Sequence, residues 1–293
     1  MSSLLFNTPA VQSLINLALE EDLGRGDVTT QAVLPDSIYA KAKLVARSAC
    51  TLAGIGIANA VFKRINPEMI IEERAKDGDV VLPGTIIATY QGEASAILAA
   101  ERTALNFVQR LSGIATLVRT YVLAAHGTNL RITDTRKTTP GYRLLEKYAV
   151  RMGGASNHRF DLGSGVLIKD NHIAVAGGVG TAIERARGHV PHGMMIEVEV
   201  DSIAQFDEAL ATGVDIILLD NFSLADMELA VSRIRSLPHR PLIEVSGGIT
   251  LERIPALART GVDIVSVGAL THSAPSVDLA LDIDMNDLSP CPS

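Results

Sequence analysis

The sequence predicts an α/β chain, with a parallel βα barrel in its second half and a small α+β domain ahead of it. Three observations point there. Six short apolar runs rich in β-branched residues recur between Leu130 and Leu270, amphipathic segments follow most of them, and polar residues gather where the runs end. Strand and helix alternating at this spacing make parallel βα units. Six or seven such units in about 150 residues fit a barrel better than an open sheet. A doubly wound sheet is the alternative, and the absence of a GxGxxG turn after the first run weakens a dinucleotide-binding reading.

In chain order, "TPAVQSLINLALEEDLG" predicts an amphipathic helix stopping at Gly24. "IYAKAKLVAR", "MIIEERAKDGDVV" and "TIIATYQG" predict strands, with "GIGIANAVFKRI" a helix between them. This small domain ends near Gly92. The pattern from Ala94 to Ala125 is helical, with Gly113 expected as a break or hinge. The barrel strands are "LRITDT" from Leu130, "VLIKDN" from Val166, "MMIEVEV" from Met194, "VDIILLDN" from Val214, "PLIEVSGG" from Pro241 and "VDIVSVGAL" from Val262. Between them, Ile203, Phe206 and Leu210 share a helical face. Ser202 and Gln205 have capping-box spacing, and Gly213 is a C-terminal stop. Ser223, with Asp226 three residues on, opens the next helix, and Pro255 must sit in the first turn of the last or kink it. The expected boundaries are 1–113 for the N-terminal domain and connecting helix, 114–272 for the barrel, and 273–293 for a C-terminal helix and tail set against the N-terminal domain.

The 293 residues are 47% hydrophobic and 20% charged, enough for a well-buried core, but only 4% are aromatic and none is Trp. The core must then be built from Ala, Val, Ile and Leu, as in parallel sheets covered by helices. A net charge of −7 argues against a general nucleic-acid binder. Cys50 and Cys291 make neither a disulfide framework nor a zinc motif and are expected to be free thiols in a reducing compartment. No apolar run reaches membrane-span length and no signal-peptide pattern opens the chain, so a cytoplasmic protein is expected, with no membrane partner.

The strand ends carry the chemistry. Arg136 and Lys137 follow the first barrel strand, Lys169 follows the second, and His158 and Arg159 lie in the glycine-rich loop before it. In a parallel barrel these ends converge on one face. Cations gathered in a chain of net negative charge need compensation, and an anionic ligand is the simplest, although a solvated basic rim is the competing reading. Glu199 and Asp220 end the next two strands. Paired carboxylates there suit a divalent cation, developing positive charge or general-base work, or else simply pair with nearby Lys and Arg. "SGGI" at Ser246 is expected to open a helix, and "VGALTHS" follows the last strand. Small residues there let backbone N–H groups approach a phosphate, and in βα barrels the last two strand loops commonly bind one. No histidine pair has helical metal-site spacing. These residues together predict an enzyme that binds a phosphorylated substrate at glycine turns and an anionic co-substrate at Arg, Lys and His, with magnesium near Glu199 and Asp220.

The segments "EEDLGRGDVTT", "AERTALNFVQRLSGIAT", "TDTRKTTPGYRLLEKYAVRMGG", "NHRFDLGSGVLIKDNHI", "IEVEVDS", "IILLDN", "IEVSGGI" and "VGALTHSAPSVDLALDI" cover nearly the whole chain. Together they resemble the quinolinate phosphoribosyltransferase family, also called decarboxylating nicotinate-nucleotide pyrophosphorylases. The resemblance implies an incomplete (open) α/β barrel with a smaller N-terminal α/β sandwich domain, in a homodimer or larger assembly whose active site is shared. It implies that the chain joins quinolinate to phosphoribosyl pyrophosphate with loss of CO2. Arg136, Lys137, His158, Arg159 and Lys169, with Arg102 from a partner subunit, would hold the two carboxylates of quinolinate. Glu199 and Asp220 would lie near the ribose and Mg2+. Ser246, Gly247, Gly248, Gly268 and His272 would take the donor phosphate. Lys137, Glu199 and Asp220 would form the catalytic set. The chain departs from the family wording at Ala155, where a third glycine is common, and at Gly163 and Ser164, where Ser-Asp is. Rival readings are a relative acting on another base, a nicotinate-specific transferase, and a non-catalytic phosphate-ligand sensor.

Overall fold

The computed structural model describes residues 5–34, 38–283 and 288–290 and divides into two compact units. The first takes the chain up to Leu117, Pro140–Gly154 and the chain from Ala274; the second takes Val118–Thr139 and Ala155–Ser273.

The first unit is built on an antiparallel sheet. Its strands are β1 (Ile38–Ala46), β3 (Ile70–Glu73) and β5 (Ile86–Glu93), while β2 (Cys50–Thr51) and β4 (Val80–Val81) form a separate two-stranded pair. In β1, Ala40, Ala42 and Leu44 are buried while Lys41 and Lys43 are not, the period-two pattern of a strand with one face on a core. Helix Ile55–Ile65 supplies Ile57, Ala58, Val61 and Phe62 to that core, and Phe62 stacks on Tyr90 of β5 with ring centroids 3.9 Å apart. The first predicted helix is Pro9–Leu23, burying Val11, Ile15 and Leu19 at four-residue spacing and ending at Gly24.

Two expectations for this region are corrected. Gly113 neither breaks nor hinges the helix, which runs unbroken from Ala94 to Ala124. A Cβ at position 113 would collide with the carbonyl oxygen of Pro275, so the glycine is there to let two backbones meet. Gly113→Ala should therefore destabilise the protein by about 1–3 kcal/mol through overpacking, where the same change in an open helix stabilises by about 1 kcal/mol. A lowered melting temperature checks the sign. The expected C-terminal helix is instead a strand, Leu279–Ile283, antiparallel to β1 with Ala42 opposite Ile283 and Ala46 opposite Leu279. "LALDI" places Leu279, Leu281 and Ile283 at every second position, the strand period, and it covers what would otherwise be an open sheet edge. Cys50 is buried and free, its thiol pushed up to about 11 by burial. Cys291 lies outside the described residues.

The second unit holds all six predicted barrel strands: β6 (Arg131–Thr133), β7 (Val166–Ile168), β8 (Ile196–Val200), β9 (Ile216–Asp220), β10 (Leu242–Ser246) and β11 (Ile264–Ser266). They pair in parallel in the order β6-β11-β10-β9-β8-β7. Among the described residues no ladder joins β6 to β7, so the barrel is open at that seam. Ser156 fills part of it, its N–H donating to the Ile132 carbonyl at 3.0 Å. The flanking helices are capped as their sequences predict. Ser202 accepts from the Gln205 N–H ahead of Ile203–Thr212, and Gly213 closes that helix at φ 78°. Ser223 accepts from the Asp226 N–H ahead of Leu224–Ile234. Pro255 sits in the first turn of Ile254–Thr260. Among the described residues no helix is long and apolar enough to cross a membrane.

Candidate active site

Parallel pairing in register brings the strand ends to one rim. Asp220 lies opposite Ser246, Glu199 opposite Leu218, and Thr133 opposite Ser266. Asn221 adopts the left-handed conformation at φ 55°, donates its N–H to the Ser246 carbonyl at 3.2 Å, and donates through Nδ2 to Asp220 Oδ2 at 2.9 Å. Gly247 (φ 91°) and Gly248 (φ 56°) are left-handed too, and a Cβ on Gly247 would strike the Asn221 side chain. Contrary to expectation, "SGGI" does not open a helix. A single 3-10 turn at Leu251–Arg253 intervenes, and the helix starts at Ile254. Two successive left-handed glycines cannot continue into a right-handed helix, so any anion there meets turn amides rather than a helix terminus.

Lys137, Gly268 and His272 gather at the neighbouring loop. A Cβ on Gly268 would lie 3.0 Å from Lys137 Cδ and 3.2 Å from His272 Nε2. The Thr271 hydroxyl donates to the Lys137 carbonyl at 2.8 Å. Lys137 thus sits on the glycine-turn side of the rim.

On the other side stand Arg136 and Arg159. Each has a buried Nε without a hydrogen-bond partner among the described residues. Arg159 donates through Nη1 to the Gly165 carbonyl at 3.0 Å. Burial, and then the charge of Arg136, hold its pKa below the usual arginine range. Arginine stays charged in proteins, so the free site confines two neighbouring cations with donors unspent. Lys169 is neutralised: its Nζ meets Glu199 Oε2 at 2.5 Å.

His158 faces Arg159 through one ring nitrogen and two buried acids through the other. Its Nδ1 accepts the Arg159 N–H at 2.7 Å, which turns Nε2 into the barrel. Nε2 faces Glu197 Oε2 at 3.2 Å and Glu244 Oε1 at 3.5 Å inside the barrel. The ligand-type atoms of these three side chains lie within 4.8 Å of one another. A cavity of about 600 Å³ adjoins them, lined in part by Thr133, His158, Arg159, Met194, Glu197 and Glu244.

Sequence reasoning missed Glu197 and Glu244. Their signal was present: "IEVEV" and "LIEVS" set an acid at alternate positions of a buried strand, on the face shared with Glu199 and Ser246. Burial, and then the neighbouring Glu197, push the Glu244 carboxyl up to about 7 from 4.5, against the opposing pull of His158. The folded chain therefore holds this proton over a range where the unfolded chain releases it. Stability should fall as pH rises from about 4.5 to 7 and level off above. Urea unfolding should show Glu244→Gln gaining on the parent protein across that window.

Arg102 lies exposed on helix Ala94–Ala124, in the first unit. Its charge partly offsets the burial that raises the Glu101 carboxyl.

An open parallel barrel with left-handed glycine turns at its rim and two neighbouring guanidinium groups, each with an Nε unspent among the described residues, defines a transferase joining a phosphorylated donor to an anionic acceptor. The quinolinate phosphoribosyl transferase C-terminal domain family matches residues 114–282, and the N-terminal domain family matches residues 27–112. The chain is 42% identical over 279 residues to the probable nicotinate-nucleotide pyrophosphorylase [carboxylating] of Bacillus subtilis, covering 95% of each chain. It is 43% identical over 277 residues to the nicotinate-nucleotide pyrophosphorylase [carboxylating] of Mycobacterium leprae, covering 94% of this chain and 97% of that one. The crystal structure of NadC from Streptococcus pyogenes superposes with a TM-score of 0.90 at 41% identity, covering 97% of this chain and 99% of the other. The chain belongs to the quinolinate phosphoribosyl transferase family.

Proposed function

We propose that the chain transfers the phosphoribosyl group of phosphoribosyl pyrophosphate to quinolinate with decarboxylation, giving nicotinic acid mononucleotide, pyrophosphate and CO2 in de novo NAD biosynthesis. The observation that carries this reading is the Arg136 and Arg159 pair, two adjacent cations each with a buried Nε unspent. A dicarboxylate supplies two negative groups to such a pair, and a monocarboxylate supplies one.

The residues divide the work by position. Arg136 and Arg159 orient quinolinate so that its ring nitrogen faces the donor's anomeric carbon. Ser246, Gly247, Gly248, Gly268 and His272 take the donor phosphate, and Lys137, packed against Gly268, offsets charge on the departing pyrophosphate. The carbon–oxygen bond to pyrophosphate breaks as the ring nitrogen bonds to the sugar. Positive charge developing on the ribose is met by Glu199 and Asp220. The carboxylate beside the new pyridinium then leaves as CO2, its bonding electrons staying on the ring carbon, which takes a proton. The pyridinium is the electron sink, so no organic cofactor is needed.

Glu199 and Asp220 are hard oxygen donors on adjacent strands, and two carboxylates suit Mg2+, which takes one or two alongside substrate phosphates. When bound, the ion would neutralise pyrophosphate and ease its departure. Were Glu199 to hold the ion, Lys169 would be freed for the acceptor's charge. In a homodimer or higher homo-oligomer the partner's Arg102 would complete the acceptor pocket. The protein acts in the cytoplasm, with no nucleic-acid or membrane partner.

The test is direct: incubation with quinolinate, phosphoribosyl pyrophosphate and Mg2+ should yield nicotinic acid mononucleotide and CO2. Product from nicotinate and none from quinolinate would overturn the reading.

A further inference from the structure

We infer that Glu197 and Glu244 are positioning residues for dicarboxylate recognition: they hold the ring of His158, and through its Nδ1 the main chain of Arg159, where the Arg159 guanidinium stands beside Arg136. The inference rests on the proposed reading of the site and concerns two acids to which that reading gives no role.

The acids are deeply buried, Glu197 at 5% and Glu244 at 2% exposure, and each has an Oε1 without a hydrogen-bond partner among the described residues. They lie on the inward face of their strands, among Ile216, Leu218 and Ile264. Two buried carboxylates with unspent oxygens do not stabilise such a core, and apolar residues of the same volume are often neutral or better there. A local arrangement that opposes stability is what functional sites show.

The contacts run in one direction. Glu197 Oε2 stands 3.2 Å from Nε2 of the His158 ring, and Glu244 Oε1 flanks the same nitrogen at 3.5 Å as an electrostatic contact rather than a hydrogen bond. Nδ1 of that ring receives the N–H of Arg159 at 2.7 Å. From the other side Asp134, fully buried, accepts the His158 N–H at 2.8 Å and Asn157 Nδ2 at 2.7 Å. The loop is thus pinned on both sides of the residue that precedes Arg159. Such pinning is needed because the charges of Arg136 and Arg159 repel in the free site. Without it the Arg159 side chain would swing outward, and one guanidinium would be left for two carboxylates. Glu197 adds a direct share, since its charge favours the charged form of Arg159.

The experiment compares Glu244→Leu, Glu197→Leu and Glu244→Gln in the full-length protein, alone and with Arg159→Ala. Calorimetry with quinolinate, nicotinate and phosphoribosyl pyrophosphate, steady-state kinetics and melting temperature are the readouts. Each leucine variant should weaken quinolinate about tenfold and raise its KM with little change in kcat. Nicotinate and donor binding should hold, and the melting temperature should not fall. Glu244→Gln, which keeps an acceptor oxygen, should retain most of the affinity. In the Arg159→Ala background the leucine changes should add no further loss. Unchanged quinolinate affinity, equal losses for all three ligands with a lowered melting temperature, or losses that add to Arg159→Ala would each overturn the inference. Should Glu244→Leu not fold, Glu197→Leu reads the same contact. A parent protein that does not turn over quinolinate would sink the functional reading and this one together; a parent that does, with variants that bind it normally, sinks this one alone.

Discussion

Arg136→Ala should raise the quinolinate dissociation constant about a hundredfold or more while leaving phosphoribosyl pyrophosphate binding within a few fold. Arg136 has a buried Nε with no hydrogen-bond partner among the described residues, and on the proposed reading bound quinolinate supplies one. Removing one member of a buried, hydrogen-bonded charge pair costs about 2–5 kcal/mol, because the other charge is left desolvated and alone. In the proposed reading donor binding rests on the glycine turns at Gly247 and Gly268 and should barely notice. Calorimetry with each ligand separately reads the difference, and equal losses for both would contradict the assignment.

Glu199→Gln should have an opposite pair of effects. Turnover should fall about a hundredfold or more, the scale of losing a preorganised charge aimed at the transition state. Quinolinate affinity should not fall with it, and should rise. In the free protein Glu199 neutralises Lys169 at 2.5 Å, and the amide cannot do so. The freed ammonium becomes available to a carboxylate. A kcat near that of the parent would remove Glu199 from the chemistry, and a parallel loss of quinolinate affinity would show that the ion pair, not the acid, was what the substitution disturbed.

What the sequence disclosed followed from what local pattern can encode. The six barrel strands stood out because parallel strands buried on both faces read as short apolar runs, and the caps at Ser202, Ser223 and Gly213 because they need particular side chains or a glycine. Gly113 misled because helix propensity alone marks glycine as a break, and only the approach of Pro275 from far along the chain explains it. "LALDI" misled because five residues carry too little periodicity to separate strand from helix when the partner strand lies over two hundred residues away. The seam between β6 and β7 entered only through the family resemblance, since alternation counts βα units without saying whether the first and last meet.

In the candidate site, rim residues were legible by position: Arg136, Lys137, Lys169, Glu199 and Asp220 all follow strands. Direction was not legible. His158 reads as a rim residue in the sequence, and only the contacts of its two ring nitrogens show it turned inward toward Glu197 and Glu244. Glu197 and Glu244 stayed hidden because acids inside strands look like surface positions until the barrel curls around them.

The open seam has a consequence for how the fold and its ligand depend on one another. In a closed barrel the last gap is sealed by strand pairing, and the loops stand apart from the wall. Here the stretch from Ser156 to Arg159 is part of the wall, joined to β6 by a sheet-like bond at one end and presenting a guanidinium at the other. The missing piece of architecture and the recognition element are the same few residues. On the proposed reading, the residues that grip the acceptor also fill the gap in the wall, which ties acceptor binding to the integrity of the seam.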